Sequence, residues 1–356
     1  MSVHSTMPPR SSHRIAAAFE QYVSGRRAGA EGTVFFLESA AHLDEVRRIA
    51  LPGDAVIAPT TIAPDDADDR VTAVAYDGAW REPGDEMTLD GRHTFELQDY
   101  LAAPFISIVG LTVVRHGSAA GIAAFFSDAD SARSSGAFVD QLLSSAVLLD
   151  SRASLAGGAA SELTRVHVTA EGEYRDGPDG LLLGRAGDSR ADIEAAALTG
   201  AGPGRSFARI IGDGDLGSAL DARPWFARYV AALELLRQWD RREAPTKISG
   251  FGGHLVTALD HDGPAITSAD APFLIADQDG DHVLVERATR RRFRLGLDAA
   301  RAAECLIATG DEAAASRLLG AEIGRREGEV EGVVREIRAR FAVAGIDLAS
   351  FARSPR

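Results

Sequence analysis

The hydrophobic period changes from two to about 3.6 at Gly296, and no other feature constrains the fold of this chain so tightly. Upstream of it, PFLIADQ, HVLVERA and RRFRLG alternate as three short strands. A DG turn (Asp279, Gly280) and an AT turn (Ala288, Thr289) separate them. Downstream, LDAARAAECLIATG predicts a helix with Asp298 as N-cap, Gly310 as stop and Ala299, Ala303, Leu306 and Ile307 on its inner face. EAAASRLLGAE predicts a second helix. REGEVEGVVREIRARFAVAGI predicts a third, with Val330, Val333, Val334, Ile337 and Phe341 on one stripe and Glu331 four residues before Arg335 on the polar side. Three strands followed by three helices predict a small winged helix-turn-helix over 272–346.

The preceding region reads differently. TVFFL at 33–37, the amphipathic AAHLDEVRRIA and DAVIAP at 54–59 give strand, helix, strand, the signature of an α/β layer. A short helix is expected over Ile15–Val23 and a strand over 71–77. FISIVGLTVV at 105–114 and GIAAFFSD at 121–128 are expected as central strands because they are dense in Ile, Val and Phe. Residues 134–149 are expected as a helix, 165–185 as a hairpin turning through Asp176–Gly180, and 223–242 as a helix with an aromatic stripe. Glycines at 250, 252 and 253, followed by HDGP at 261–264, mark a hinge or turn. The expected layout is a tail (1–14), an α/β domain of mixed sheet and flanking helices (15–245), a linker (246–271), the winged domain (272–346) and a tail (347–356).

Composition narrows the function classes. With 356 residues, two domains are the default. One cysteine, Cys305, rules out an internal disulfide framework and fits a reducing compartment; on its apolar helix face it reads as a buried thiol. No segment has the length and apolarity of a signal peptide or a membrane span, so a cytoplasmic location is expected. The net charge of -14 opposes general nucleic-acid affinity. That charge is unevenly spread, because 272–346 holds 12 arginines against 13 acidic residues. Within it Arg290, Arg291, Arg292 and Arg294 crowd the third strand.

Catalytic motifs are missing. The nine histidines sit in no zinc-binding pattern, and His116, His167 and His254 have no partner that the sequence names. There is no G-x-S-x-G elbow, and the glycines near 250 match neither a P-loop nor G-x-G-x-x-G. GDGDLG at 212–217 offers Asp213 and Asp215 without the remaining ligands of a calcium loop, so it reads as a solvated turn. No cofactor or metal is expected.

The VLVE strand turning into RRFRL, the helix start at Leu297 and Asp298, the TGD at 309–311 and the long last helix together resemble the PqqD-like RiPP recognition element. That small domain serves the makers of ribosomally synthesised, post-translationally modified peptides. The resemblance implies that a precursor's leader adds as an extra strand to the third strand and lies against the third helix. By position, Arg292, Phe293, Arg294 and Leu295 would line the edge, and Val330, Val334, Ile337, Arg338 and Phe341 the groove wall. The overall layout is similar to the recognition proteins of daptide biosynthesis. That likeness implies a non-catalytic adaptor whose partners are a precursor peptide and a peptide-modifying enzyme, an oxidative decarboxylase of the iron-dependent alcohol-dehydrogenase type.

Three alternatives stand beside this expectation. The arginines can serve only to protect an edge strand from unwanted pairing. The α/β domain can hold an unrecognised peptide-modifying site. A winged helix can also bind DNA, although Glu327, Glu329, Glu331 and Glu336 on the last helix oppose that use.

Overall fold

The computed structural model describes residues 10–28, 30–59, 71–156, 162–239, 247–260, 265–276 and 281–352. The chain forms an N-terminal mixed α/β domain followed by a smaller helix and strand module, and by contact it divides into residues 1–125 with 140–222, and 126–139 with 223–356.

In the first unit the strands among the described residues are β1 (Val34–Leu37), β2 (Ala55–Ala58), β3 (Thr72–Gly78), β4 (Glu86–Leu89), β5 (His93–Asp99), β6 (Leu111–Arg115), β7 (Val147–Leu149), β8 (Arg165–Val168), β9 (Glu173–Arg175) and β10 (Leu182–Arg185). They form one sheet in the order β10-β9-β8-β1-β2-β3-β4-β5-β6-β7. β8, β1, β2 and β3 are mutually parallel; β4 reverses, and β5, β6 and β7 resume the first direction. Their carboxyl ends therefore gather at one end of the sheet.

Helix α1 (Arg10–Ser24) puts Ala18, Phe19, Tyr22 and Val23 on one face, and inward side chains from β1 to β6, among them Phe36, Ile57, Tyr76, Leu89, Phe95 and Val113, pack on it. The sheet thus curls around one helix. Alternate residues of the same strands, Phe35, Leu37, Val56 and Ala58, point outward under Val46 of α2 (Leu43–Ile49) and, further along the chain, Ile193 and Ala197. Both faces of β1 and β2 are buried, which is why VFFL and AVIA read as continuous apolar runs.

Several expectations in this unit are corrected. Residues 121–128 belong to helix α3 (Ala119–Ser135). Its buried Ile122, Phe125, Phe126, Ala129 and Ala132 recur at helical spacing, which the unbroken apolar run conceals. Of 105–114, only Leu111 onward is strand, while Phe105 and Val109 are exposed. The helix expected over 134–149 does not form. Gly136, at φ 76, ends α3, and a 3-10 turn (Asp140–Leu143) and β7 follow. The hairpin is a three-stranded meander, with an additional turn at Gly172, φ 81. After α4 (Arg152–Leu155) and the capping-box helix α5 (Arg190–Thr199), the GDGDLG segment is not a free turn but opens helix α6 (Asp213–Asp221).

The second unit holds α7 (Phe226–Gln238) and an antiparallel sheet of β11 (Lys247–Ile248), β12 (Phe273–Ala276), β13 (His282–Val285) and β14 (Arg292–Leu295), in that order. Helices α8 (Leu297–Thr309), α9 (Glu312–Ile323) and α10 (Glu327–Val343) complete it. The segment read as a linker contributes β11 and then a packed turn: Gly250, Gly252 and Gly253 have φ of 89, 69 and 106, and Phe251 is buried. A Cβ on Gly252 would lie 2.7 Å from the Ser135 backbone, so the glycine is needed there for space as well as for angle. The HDGP and DG turns lie outside the described residues.

Val330, Val334, Ile337 and Phe341 of α10 pack with Leu306, Leu319, Leu274 and Leu284 in one core, which Leu348 from the expected C-terminal tail also enters. Val333, expected on the apolar stripe, is exposed. Gly296, not Asp298, occupies the N-cap of α8, whereas Gly310 ends it left-handed and Asp311 caps α9 by accepting from the Ala314 amide at 2.7 Å. Cys305 is fully buried, and burial pushes its thiol up to about 12, as a core thiol requires. Among the described residues no helix is long and apolar enough to cross a membrane.

Candidate functional site

Two concave sites stand out, one in each unit. In the second unit β14 pairs with β13 on one side and, among the described residues, with no strand on the other. Its period-two alternation leaves Arg292 and Arg294 exposed and tilts Phe293 and Leu295 toward the core. Beside this edge lies a cavity of about 290 Å³ lined by Phe293, Arg294, Leu295, Gly296, Ala299, Ile337, Arg340 and Phe341. Phe293 meets Phe341 edge to face at 5.2 Å and so closes its floor.

The residues expected at the peptide edge divide into three groups. Phe293, Arg294, Leu295, Ile337 and Phe341 line the cavity. Arg292 lies over the Trp239 ring at 4.3 Å, and Arg338 pairs with Glu312 at 2.9 Å. Val330 and Val334 are core residues rather than groove wall, at 1% and 0% exposure. Arg340 lines the cavity although no sequence feature singled it out. The other two arginines of the cluster lie in the turn before β14. Arg290 adopts φ 59 in the turn, and Arg291 donates to the Ala344 carbonyl at 2.6 Å.

The first unit holds a larger, polar cleft of about 470 Å³ at the carboxyl ends of the parallel strands. Glu38 follows β1, Arg81 follows β3, Asp99 ends β5, Arg115 ends β6 and Thr169 follows β8; all line the cleft with His167, Asp179 and Arg209. Tyr22 on α1 bonds Nδ1 of His167 at 2.8 Å, and His167 Nε2 bonds Glu38 Oε1 at 3.2 Å. The second oxygen of Glu38 takes the Ala170 amide at 3.0 Å and the Arg81 guanidinium at 2.7 Å. Burial alone would raise the Glu38 carboxyl, but His167, Ala170 and Arg81 override it and hold the group at about 2. Burial lowers His167 despite Glu38 and raises Tyr22. His167 thus bridges the Tyr22 phenol and the Glu38 carboxylate.

Behind the cleft runs a buried chain of alternating charge. Arg115 Nε holds Asp150 at 3.0 Å; Asp150 also holds Arg165 at 3.3 Å; Arg165 reaches Asp176 at 3.3 Å, and Asp176 meets Arg205 at 2.7 Å. Arg165 is 0% exposed and also donates to the carbonyls of Tyr22 and Val23 and to Ser151 Oγ. Burial raises the Asp176 carboxyl, but Arg165 and Arg205 outweigh it and hold it down. This chain fixes where the Arg115 guanidinium stands.

Of the three histidines singled out in the sequence, only His167 lines this cleft. His116 is buried, and His254 bonds the buried Glu304 at 3.0 Å inside the second unit. Among the described residues no group of three or more His, Cys, Asp or Glu side chains converges to hold a metal ion. Compared with known proteins, the chain matches no protein-family model, no curated protein and no solved structure.

Proposed function

We propose that this protein is a peptide-binding adaptor. Its second unit, read as a winged helix-turn-helix of the PqqD-like kind, takes up the leader of a ribosomally synthesised precursor in the cytoplasm and presents the remainder to a modifying enzyme. The observation that carries the reading is the largely apolar cavity between β14 and α10 beside a strand edge that pairs with no strand among the described residues. An extended peptide can add its main chain to such an edge and seat alternate side chains in the cavity. Arg292, Arg294 and Arg340 around the site favour an acidic segment and speed its encounter.

The test is fluorescence anisotropy of the labelled leader of the short precursor encoded beside the gene, titrated with the full chain. Saturable binding should weaken at least about tenfold in Arg292→Glu with Arg294→Glu, and again in Phe341→Ala. A folded protein that binds no leader, or a double variant that binds as tightly as the parent, would end the proposal and return the arginines to edge protection.

A further inference from the structure

The first-unit cleft is unused by that reading, and its hydrogen-bond accounting points to a ligand of its own. Arg115 is 8% exposed, and Asp150 fixes it through Nε. Its Nη1 makes a 3.4 Å contact to the Arg81 carbonyl, and its Nη2 has no partner among the described residues and is not sealed from the cleft. A guanidinium that is nearly buried and already oriented, with donors left over, is a fork for a carboxylate or phosphate. Arg209 adds a second, exposed guanidinium at the rim.

The acids of the cleft oppose a simple anion. Glu38 already takes three donors. Asp179 is half-buried and its carboxylate accepts no hydrogen bond among the described residues; burial raises it even though Arg115 and Arg209 pull the other way. Glu82 and Glu171 stand exposed on the same wall, without ion pairs among the described residues. A phosphate alone would meet these carboxylates at close range, and an amine alone would leave the Arg115 fork empty.

We propose that the cleft binds a small zwitterion of the α-amino-acid type, with its carboxylate on Arg115 and its ammonium toward Asp179 and Glu171. A volume of about 470 Å³ leaves room for a sizeable side chain beyond the shared head group.

The experiment is isothermal titration of the full chain with each free L-α-amino acid. The best binder is then repeated as its N-acetyl and its C-terminal amide derivative, with inorganic phosphate as the anion control. The expected result is 1:1 saturation by at least one amino acid and a loss of about tenfold or more for each blocked derivative. Asp179→Asn should weaken binding at least about fivefold with its melting temperature unchanged. Arg115→Gln is the direct variant, but it also breaks the buried charge chain, so Asp179→Asn is the variant that decides. No saturation by any amino acid up to about 20 mM, equal binding of a blocked derivative, or tighter binding of phosphate would overturn the proposal.

Discussion

His116 gives the sharpest quantitative prediction. It follows β6, is 1% exposed, lies 4.8 Å from the Tyr100 ring and 4.9 Å from Phe125, and neither ring nitrogen has a hydrogen-bond partner among the described residues. Burial lowers its pKa from 6.5 to about 4 against the pull of Asp150. The unfolded chain therefore binds a proton between pH 6.5 and 4 that the folded chain refuses, and stability falls as pH falls through that window. Integrating the two titrations gives a loss of about 2 kcal/mol at pH 5 and about 3 kcal/mol at pH 4 from this side chain alone. The perturbation is His116→Phe, which keeps an aromatic ring between Tyr100 and Phe125 and removes the titration. Urea unfolding would be followed by Trp80 fluorescence in a background where Trp225 and Trp239 are Phe, so that only the first unit reports. The parent should lose about 2 kcal/mol more than His116→Phe between pH 7 and pH 5. His167, also lowered by burial, contributes equally to both proteins and cancels. If the two proteins lose the same stability over that range, the imidazole is not closed to protons and the reasoning fails.

Asp176→Asn should destabilise the first unit by about 3–5 kcal/mol, because Arg165 and Arg205 would be left buried without their shared carboxylate; the same urea assay reads it. Gly252→Ala combines a left-handed φ of 69 with a 2.7 Å clash and should lower the second unit's melting temperature in calorimetry by several degrees or more. Cys305 should resist a thiol-specific reagent in the native protein and react fully in urea; native labelling within minutes would contradict its burial. Leader binding, if carried by Arg292 and Arg294, should weaken as salt is raised from 50 to 500 mM, about tenfold or more.

The second unit was legible because its signals are local. Alternation in HVLV and RFRL, the left-handed Gly310 and the Asp311 cap are each set by neighbours a few residues away. Asp298 was misplaced because a carboxylate in the first turn of a helix and one at its cap leave the same trace in a sequence; here the chain enters α8 through Gly296. The strands expected near 105–128 failed for another reason: a continuous apolar run has no period, and alanines at 123 and 124 let the buried Ile122, Phe125 and Phe126 sit on a helix. The polar cleft was invisible. Glu38, Arg81, Arg115, His167 and Asp179 are scattered over the chain and meet because parallel strands deliver their carboxyl ends to one place. The usable trace was a charged residue directly after a buried strand, as in VFFL followed by Glu38 and LTVV followed by Arg115 and His116.

Edge protection and peptide capture at β14 are compatible uses of the same side chains. Arg292 and Arg294 share the exposed face of a four-residue strand, so a second copy of β14 adding antiparallel to this edge would set arginine against arginine. Like charges directly across a strand pair destabilise it, and among the described residues Arg294, 85% exposed, pairs with the half-exposed Asp281 at 3.2 Å rather than with a buried counter-charge. An acidic strand meets the opposite balance and gains from each arginine. On the proposed reading the same two residues would exclude self-association and select the sign of an incoming peptide, while the apolar part of the cavity, Phe293, Leu295, Ile337 and Phe341, would set its register.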